Sequence, residues 1–305
     1  MPGISTNRSD ITLPAEVSSE ILQKVQEESA IMRLAPQMPL PGRGAVIPVI
    51  TGDPEASWVT ETGAKPVSNP GLGTKLMQAY TLSVIVPFSN QFRRDAATLY
   101  DALIERLPRA LGYKFDQTVA GAVAKPGENF DNLAACTVQS LLATSGTPAH
   151  TPYQGLVAAK TDIANHMGRL DAFALSPAAV GMLLEATDTT GRPIFVINTS
   201  EGGFDRLIGA RVIETRGAYK AGTAPADSSA GSPAIIGIAG DWSQARWGTV
   251  EGLQVSFADQ TGLTINSQQV NLWEHNMFAV RAEIELGFRC DTSCFNLLSG
   301  ITPQA

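Results

Sequence analysis

From residue 278 to residue 289 the side chains sort by parity. Phe278, Val280, Ala282, Ile284, Leu286 and Phe288 hold the even positions, while Arg281, Glu283, Glu285 and Arg289 hold odd ones. Successive strand side chains point to opposite faces, so the pattern predicts a strand about 40 Å long with one dry face and one ionic face. A second alternation, Tyr80, Leu82, Val84, Val86 and Phe88 within "LMQAYTLSVIVPF", predicts another strand. From Ala96 to about Ala124 the period changes. Leu99, Leu103, Leu107, Leu111, Phe115 and Val119 recur every fourth residue, the slowly drifting stripe of a long helix. Glu105 and Arg109 are spaced to pair on its surface. Pro108 lacks a backbone donor and predicts a kink or division there.

The remaining segments are shorter. "PAEVSSEILQKVQEESAIMRLA" places Val17, Ile21, Leu22, Val25 and Ile31 along one side of a short helix within an otherwise extended arm. "AVIPVI" at 45–50 is a strand whose Pro48 confines it to an edge. Residues 51–75 are rich in glycine and proline, and carry Trp58, a costly side chain to leave in water, so this long connection is expected to dock on something else. "YQGLVAAKTDIANHM" is helical by period, and Ser176–Pro177 opens another helix with a hydroxyl N-cap and proline at the first position. "LIGARVIET" and "AIIGIAG" read as strands around an aliphatic-poor loop.

Composition narrows the partners. Charged residues are 17% of the 305, below the usual quarter, so much surface is expected to be covered. A net charge of -7 argues against gripping nucleic acid, which requires clustered cations. No apolar run reaches the length of a membrane span, the first twenty residues lack a signal-peptide core, and cytosolic synthesis without a membrane partner is expected. Cys136, Cys290 and Cys294 are too few and scattered for a secreted disulfide framework.

Catalytic signals are sparse. The phosphate loop, nucleophile elbow, paired-histidine zinc helix and EF-hand patterns are missing, and "PGLGTK" has neither the spacer nor the helix that phosphate binding requires. Cys290 and Cys294 with His275 fall short of a tetrahedral metal site. His150, His166 and His275 are dispersed, so no triad forms. The expectation is a non-enzyme with no metal and no cofactor. The charged face of Arg281, Glu283 and Glu285 reads instead as a surface meeting a copy of the same chain, because paired charges fix register.

Taken together, "ASWVTETGAKPVS", "FSNQFRRDA", "LYDALIERLPRALGYKFDQTVAGA", "ALSPAAVGMLLEATDTTGRPIF", "LIGARVIET", "GDWSQARWGTVEGLQVSF" and "NMFAVRAEIELGFRC" resemble, in order, blocks of tailed-bacteriophage major capsid proteins of the Hong Kong 97-like fold family. The resemblance implies an α+β fold divided into an N-terminal arm (1–43), an extended-loop hairpin (44–88), a peripheral domain with a long spine helix (89–130), an axial domain (131–249) and peripheral return strands of a long antiparallel sheet (250–305). It implies a virion protein assembling in the host cytoplasm as hexamers and pentamers of an icosahedral shell around double-stranded DNA. The expected partners are other copies of itself, a separate scaffolding protein if one is needed, a portal and a decoration protein. Trp58, Glu61, Lys65, Arg281, Glu283 and Glu285 are the expected intersubunit contacts. Some relatives form a lysine–asparagine isopeptide bond. Lys65 and Lys75, with Asn266, Asn271 and Asn276, are the candidates here, although noncovalent contacts are the expectation. An encapsulin-type shell around a cargo protein is the alternative within the fold.

Overall fold

The computed structural model describes residues 23–50, 72–90, 96–142, 151–188, 190–195, 206–224, 231–250, 252–265 and 268–300, with Ala56, Trp58, Val59, Lys65 and Val67 besides. In chain order these hold α1 (Ala30–Leu34), β1 (Gln37–Pro39), β2 (Ala45–Ile50), β3 (Leu72–Met77), β4 (Tyr80–Ser89), α2 (Ala96–Val119) and β5 (Thr137–Ser140). Then come α3 (Pro152–Asn165), β6 (Ala172–Leu175), α4 (Pro177–Leu184), β7 (Arg206–Leu207), β8 (Ala210–Glu214), β9 (Ile235–Gly240) and β10 (Ala245–Thr249). The chain continues through β11 (Gln254–Ala258), β12 (Gly262–Ile265), β13 (Gln268–Asn271), β14 (Met277–Cys290) and β15 (Phe295–Ser299).

The two alternating stretches pair with each other. β4 runs antiparallel to β14 from Met277 opposite Ser89 to Leu286 opposite Tyr80. The register sets Phe278, Val280, Ala282, Ile284 and Leu286 against Phe88, Val86, Val84, Leu82 and Tyr80, so both apolar stripes share one face. Phe88 and Phe278 stack there with centroids 5.7 Å apart. Along the other edge of β14 lie β11 and then β10, with β1 parallel to β10 on the outside. Helix α2 covers the dry face through Leu107, Leu111, Phe115 and Val119, all in the larger core, and Phe115 meets Phe130 and Phe288 edge-on. The helix is continuous through Pro108 and ends at Val119, with Gly121 soon after at a φ of 75°.

A second sheet has six strands in the order β5-β15-β9-β6-β8-β7. Its central strands β6 and β9 are buried along their whole length, as sequences without polar alternation require. Helix α3 contributes Leu156, Ala159 and Ile163, and α4 contributes Ala179 and Leu183, to a smaller core. The Ser176 hydroxyl accepts from the Ala179 amide at 3.4 Å, the expected N-cap, with Pro177 following it. Strands β2 and β3 form a separate two-stranded ribbon, so Pro48 does stand at an edge.

Besides the longer path from β4 through α2 to β5, the chain passes between the large sheets by two short turns of the same design. β9 leads to β10 through a 3₁₀ turn at Trp242–Gln244, and β14 leads to β15 through one at Thr292–Cys294. Asp241 and Asp291 cap these turns, each accepting from the serine two residues on. Each Asp amide donates to the other turn, Asp241 to the Cys294 carbonyl at 3.1 Å and Asp291 to the Gln244 carbonyl at 3.3 Å. Consequently sheet membership does not follow the division expected at 249/250. β10 lies against β14, while β15 lies between β5 and β9. The expected arm also differs from residue 25 onward, where Val25, Ile31, Met32 and Ala35 enter the larger core.

Candidate assembly surface

The strand register places three rows of side chains on the face of the β14 sheet opposite α2. Thr81, Ser83 and Ile85 of β4 stand opposite Glu285, Glu283 and Arg281, which in turn face Gln254 and Ser256 of β11. Thr81, Ser83, Ile85, Gln254 and Ser256 are exposed. The Arg281 Nε lies 3.2 Å from the Glu283 carboxylate and donates to the Ser256 hydroxyl at 3.2 Å. These side chains are 52% and 29% exposed, so solvent screens the pair and its contribution to the isolated chain is small. Glu285 is exposed and has no ion-pair or hydrogen-bond partner among the described residues. Ions held in fixed rows with open valences suit recognition of a complementary surface better than internal stabilisation. The fourth charge of the alternation, Arg289, belongs elsewhere. It donates to Asp131 at 2.7 Å, Asn129 at 3.1 Å and the Leu76 carbonyl, and is nearly buried.

Trp58 is fully exposed, Val67 is 93% exposed, and Lys65 is exposed as well. Glu61 and Asn266 lie outside the described residues. Lys75 is already engaged, donating to the Cys290 carbonyl at 3.0 Å and standing 3.8 Å from Asp131. Asn271 caps the turn before β14, accepting from the Trp273 amide and donating to Glu274. Asn276, at a φ of 53°, accepts from the Asn90 side chain at 2.9 Å. Lys75 and these asparagines sit at opposite ends of β14, on the order of 40 Å apart at a strand's rise. Any bond between them is between copies.

Sequence reasoning passed over other features. Trp273 is 72% exposed on the turn after β13, whose backbone is held by Asn271 and by buried Leu272. Asp116 is fully buried on α2. The cysteine thiols are buried and unpaired, and burial lifts Cys136 to about 12, Cys290 well above its ordinary value, and Cys294 upward, so none is a poised nucleophile. No group of three His, Cys, Asp or Glu side chains converges as a metal site among the described residues, and no described helix is long and apolar enough to cross a membrane.

Known proteins match this arrangement along nearly its whole length. "Probable major capsid protein gp17" of Mycobacterium phage L5 is 27% identical over 302 residues, spanning 95% of this chain and 89% of the relative. A solved chain from Mycobacterium phage Ogopogo superposes with a TM-score of 0.70 at 18% identity, covering 90% of this chain and 92% of that one. One from Gordonia phage Cozz gives 0.66 at 23% identity, covering 90% and 87%. The mixed helix and sheet architecture is the Hong Kong 97-like capsid fold. The model of the phage capsid family matches residues 10–290, and the chain belongs to that family.

Proposed function

We propose that this chain is the major capsid protein of a tailed phage, closing hexamers and pentamers into an icosahedral head around double-stranded DNA. The match of one capsid family across residues 10–290 carries the reading. The acidic balance of -7 fits a shell that encloses DNA without gripping it. α2 and the β14 sheet serve as the peripheral domain, the six-stranded sheet with α3 and α4 as the axial domain, and the β2–β3 ribbon as part of the extended loop. Work is geometric rather than catalytic: repeated weak interfaces close the shell, and small rigid-body shifts between subunits accommodate expansion. Trp58, Glu61 and Lys65 of the loop and the Arg281, Glu283, Glu285 face make contacts between copies without covalent bonds. Assembly takes place in the host cytoplasm with a separate scaffolding protein, and a portal and decoration protein complete the particle. An encapsulin-type shell finds no support among the relatives, which are phage capsid proteins.

The test is assembly of the expressed chain with its scaffolding protein, followed by size-exclusion chromatography and negative-stain electron microscopy. Closed particles or rings are expected. Reversing Arg281 to Glu together with Glu285 to Arg is expected to abolish them while leaving a folded subunit. Normal shells from that variant would remove the sheet face from the interface, and a wild-type chain that stays monomeric with its scaffold would overturn the capsid reading.

A further inference from the structure

One carboxylate joins three segments distant in sequence. Asp116 of α2 accepts hydrogen bonds from the Ser29 hydroxyl at 2.6 Å, the Ala30 amide at 3.0 Å and the Ile31 amide at 3.4 Å, all at the start of α1. It accepts a fourth from the Thr215 hydroxyl at 2.9 Å, in the turn that follows β8. Ser29 and Thr215 are themselves caps, accepting from the Met32 and Gly217 amides, so each spends its only proton on Asp116. Gly217 packs so closely that a Cβ would lie 2.2 Å from the Asp116 Cβ. No cation pairs with Asp116 among the described residues. The charged and titratable groups on the packed elements are exposed or half-buried instead: Lys24, Glu27, Glu28 and Arg33 on the arm, Arg106, Arg109 and Tyr113 on α2, and Glu214 and Arg216 at the turn. Lys114 and Lys220 beside them are exposed too, and β6 and β9 bring no titratable side chain.

We infer that Asp116 is a proton-operated latch: uncharged, it fastens the arm at Ser29–Ile31 and the Thr215 turn to α2, and ionised, it favours their release. The inference goes beyond shell building and holds for any arrangement of subunits. A buried carboxylate without a counter-ion is costly, whereas the neutral acid keeps most of these contacts with one hydroxyl reversed. Burial is the largest influence and lifts the group from 3.8 to about 6 against the pull of the bonds from Ser29, Thr215, Ala30 and Ile31. In an opened arm the carboxyl meets water and returns toward 3.8. The closed form therefore holds a proton that the open form has shed between those values. Opening becomes easier as pH rises through that window, by about tenfold between pH 5 and pH 7.

Hydrogen exchange read by mass spectrometry on the full-length protein, from pH 5 to 7.5 and corrected for intrinsic exchange, measures opening of residues 29–35. The wild type is expected to gain about tenfold in opening, and Asp116→Asn, which keeps the shape without the titration, is expected to be flat. Thr215→Val removes a donor that favours the ionised form, so its midpoint is expected at higher pH than that of the wild type. A flat wild-type profile, or an Asn variant with the wild-type slope, would overturn the latch. Should Asp116→Asn not fold, an unmoved midpoint in Thr215→Val overturns it alone.

Discussion

Replacing Arg289 by methionine removes the fastening between the end of β14 and two other segments while preserving an apolar stem. In the wild type, Arg289 bonds Asp131 at 2.7 Å, Asn129 at 3.1 Å and the Leu76 carbonyl through two nitrogens at 2.9 and 2.6 Å. Only 11% of the Arg289 side chain and 16% of the Asp131 side chain meet solvent, so screening is weak. Removing one member of a buried pair costs about 3–5 kcal/mol because the other charge is stranded. Asp131 keeps the Cys290 amide at 3.2 Å and Lys75 at 3.8 Å. The expected loss is therefore at the lower end, about 3 kcal/mol. Urea unfolding of dissociated subunits, with equal slopes for wild type and variant, reads the difference directly. Asp131→Asn in the same background is expected to restore part of the loss, since the stranded charge is gone. A single-variant loss below about 1 kcal/mol, or fully additive effects in the double variant, would refute the assignment of stability to this pair.

Trp247→Phe leaves the Met32 and Ala35 carbonyls without the indole donor that now reaches them at 3.2 and 3.1 Å. A loss of about 1–2 kcal/mol is expected, with earlier protease cleavage in the arm as the local sign. Iodoacetamide at pH 8 is expected to leave Cys136 and Cys290 unmodified in the folded chain and to label both in urea, because burial raises both thiols. Rapid labelling of the folded chain would show that this part of the core opens.

Parity alone located β4 and β14, because a strand with one dry face must alternate. The helical stripe located α2 for the same reason, and Ser176 announced its cap through local chemistry. Sheet membership was another matter. β10 and β15 are short, and β15 is buried throughout, so neither carries a periodic signal that says which sheet receives it. Arg289 shares the parity of Arg281, yet lies over Leu76 and Asp131, partners distant in sequence that no alternation encodes. Asp116 looked like any polar residue on a helix, since its significance comes from Ser29 and Thr215, 87 and 99 residues away. Of the surface candidates, the Arg281 face was legible because exposed charge on a long strand stands out. Trp273 was not, because one aromatic in a turn is silent until its exposure is known.

The twin turns between the sheets have a mechanical consequence. A single connecting strand acts as a swivel, about which the two bodies can twist freely. Here two strands cross side by side, and the bonds from Asp241 to Cys294 and from Asp291 to Gln244 lash them together. Such a joint resists torsion, and the larger core, which takes Ala174, Ile238 and Leu297 from one sheet and Ile284 and Phe288 from the other, stiffens it further. Lengthening either turn alone would unbalance the pair and surrender that stiffness.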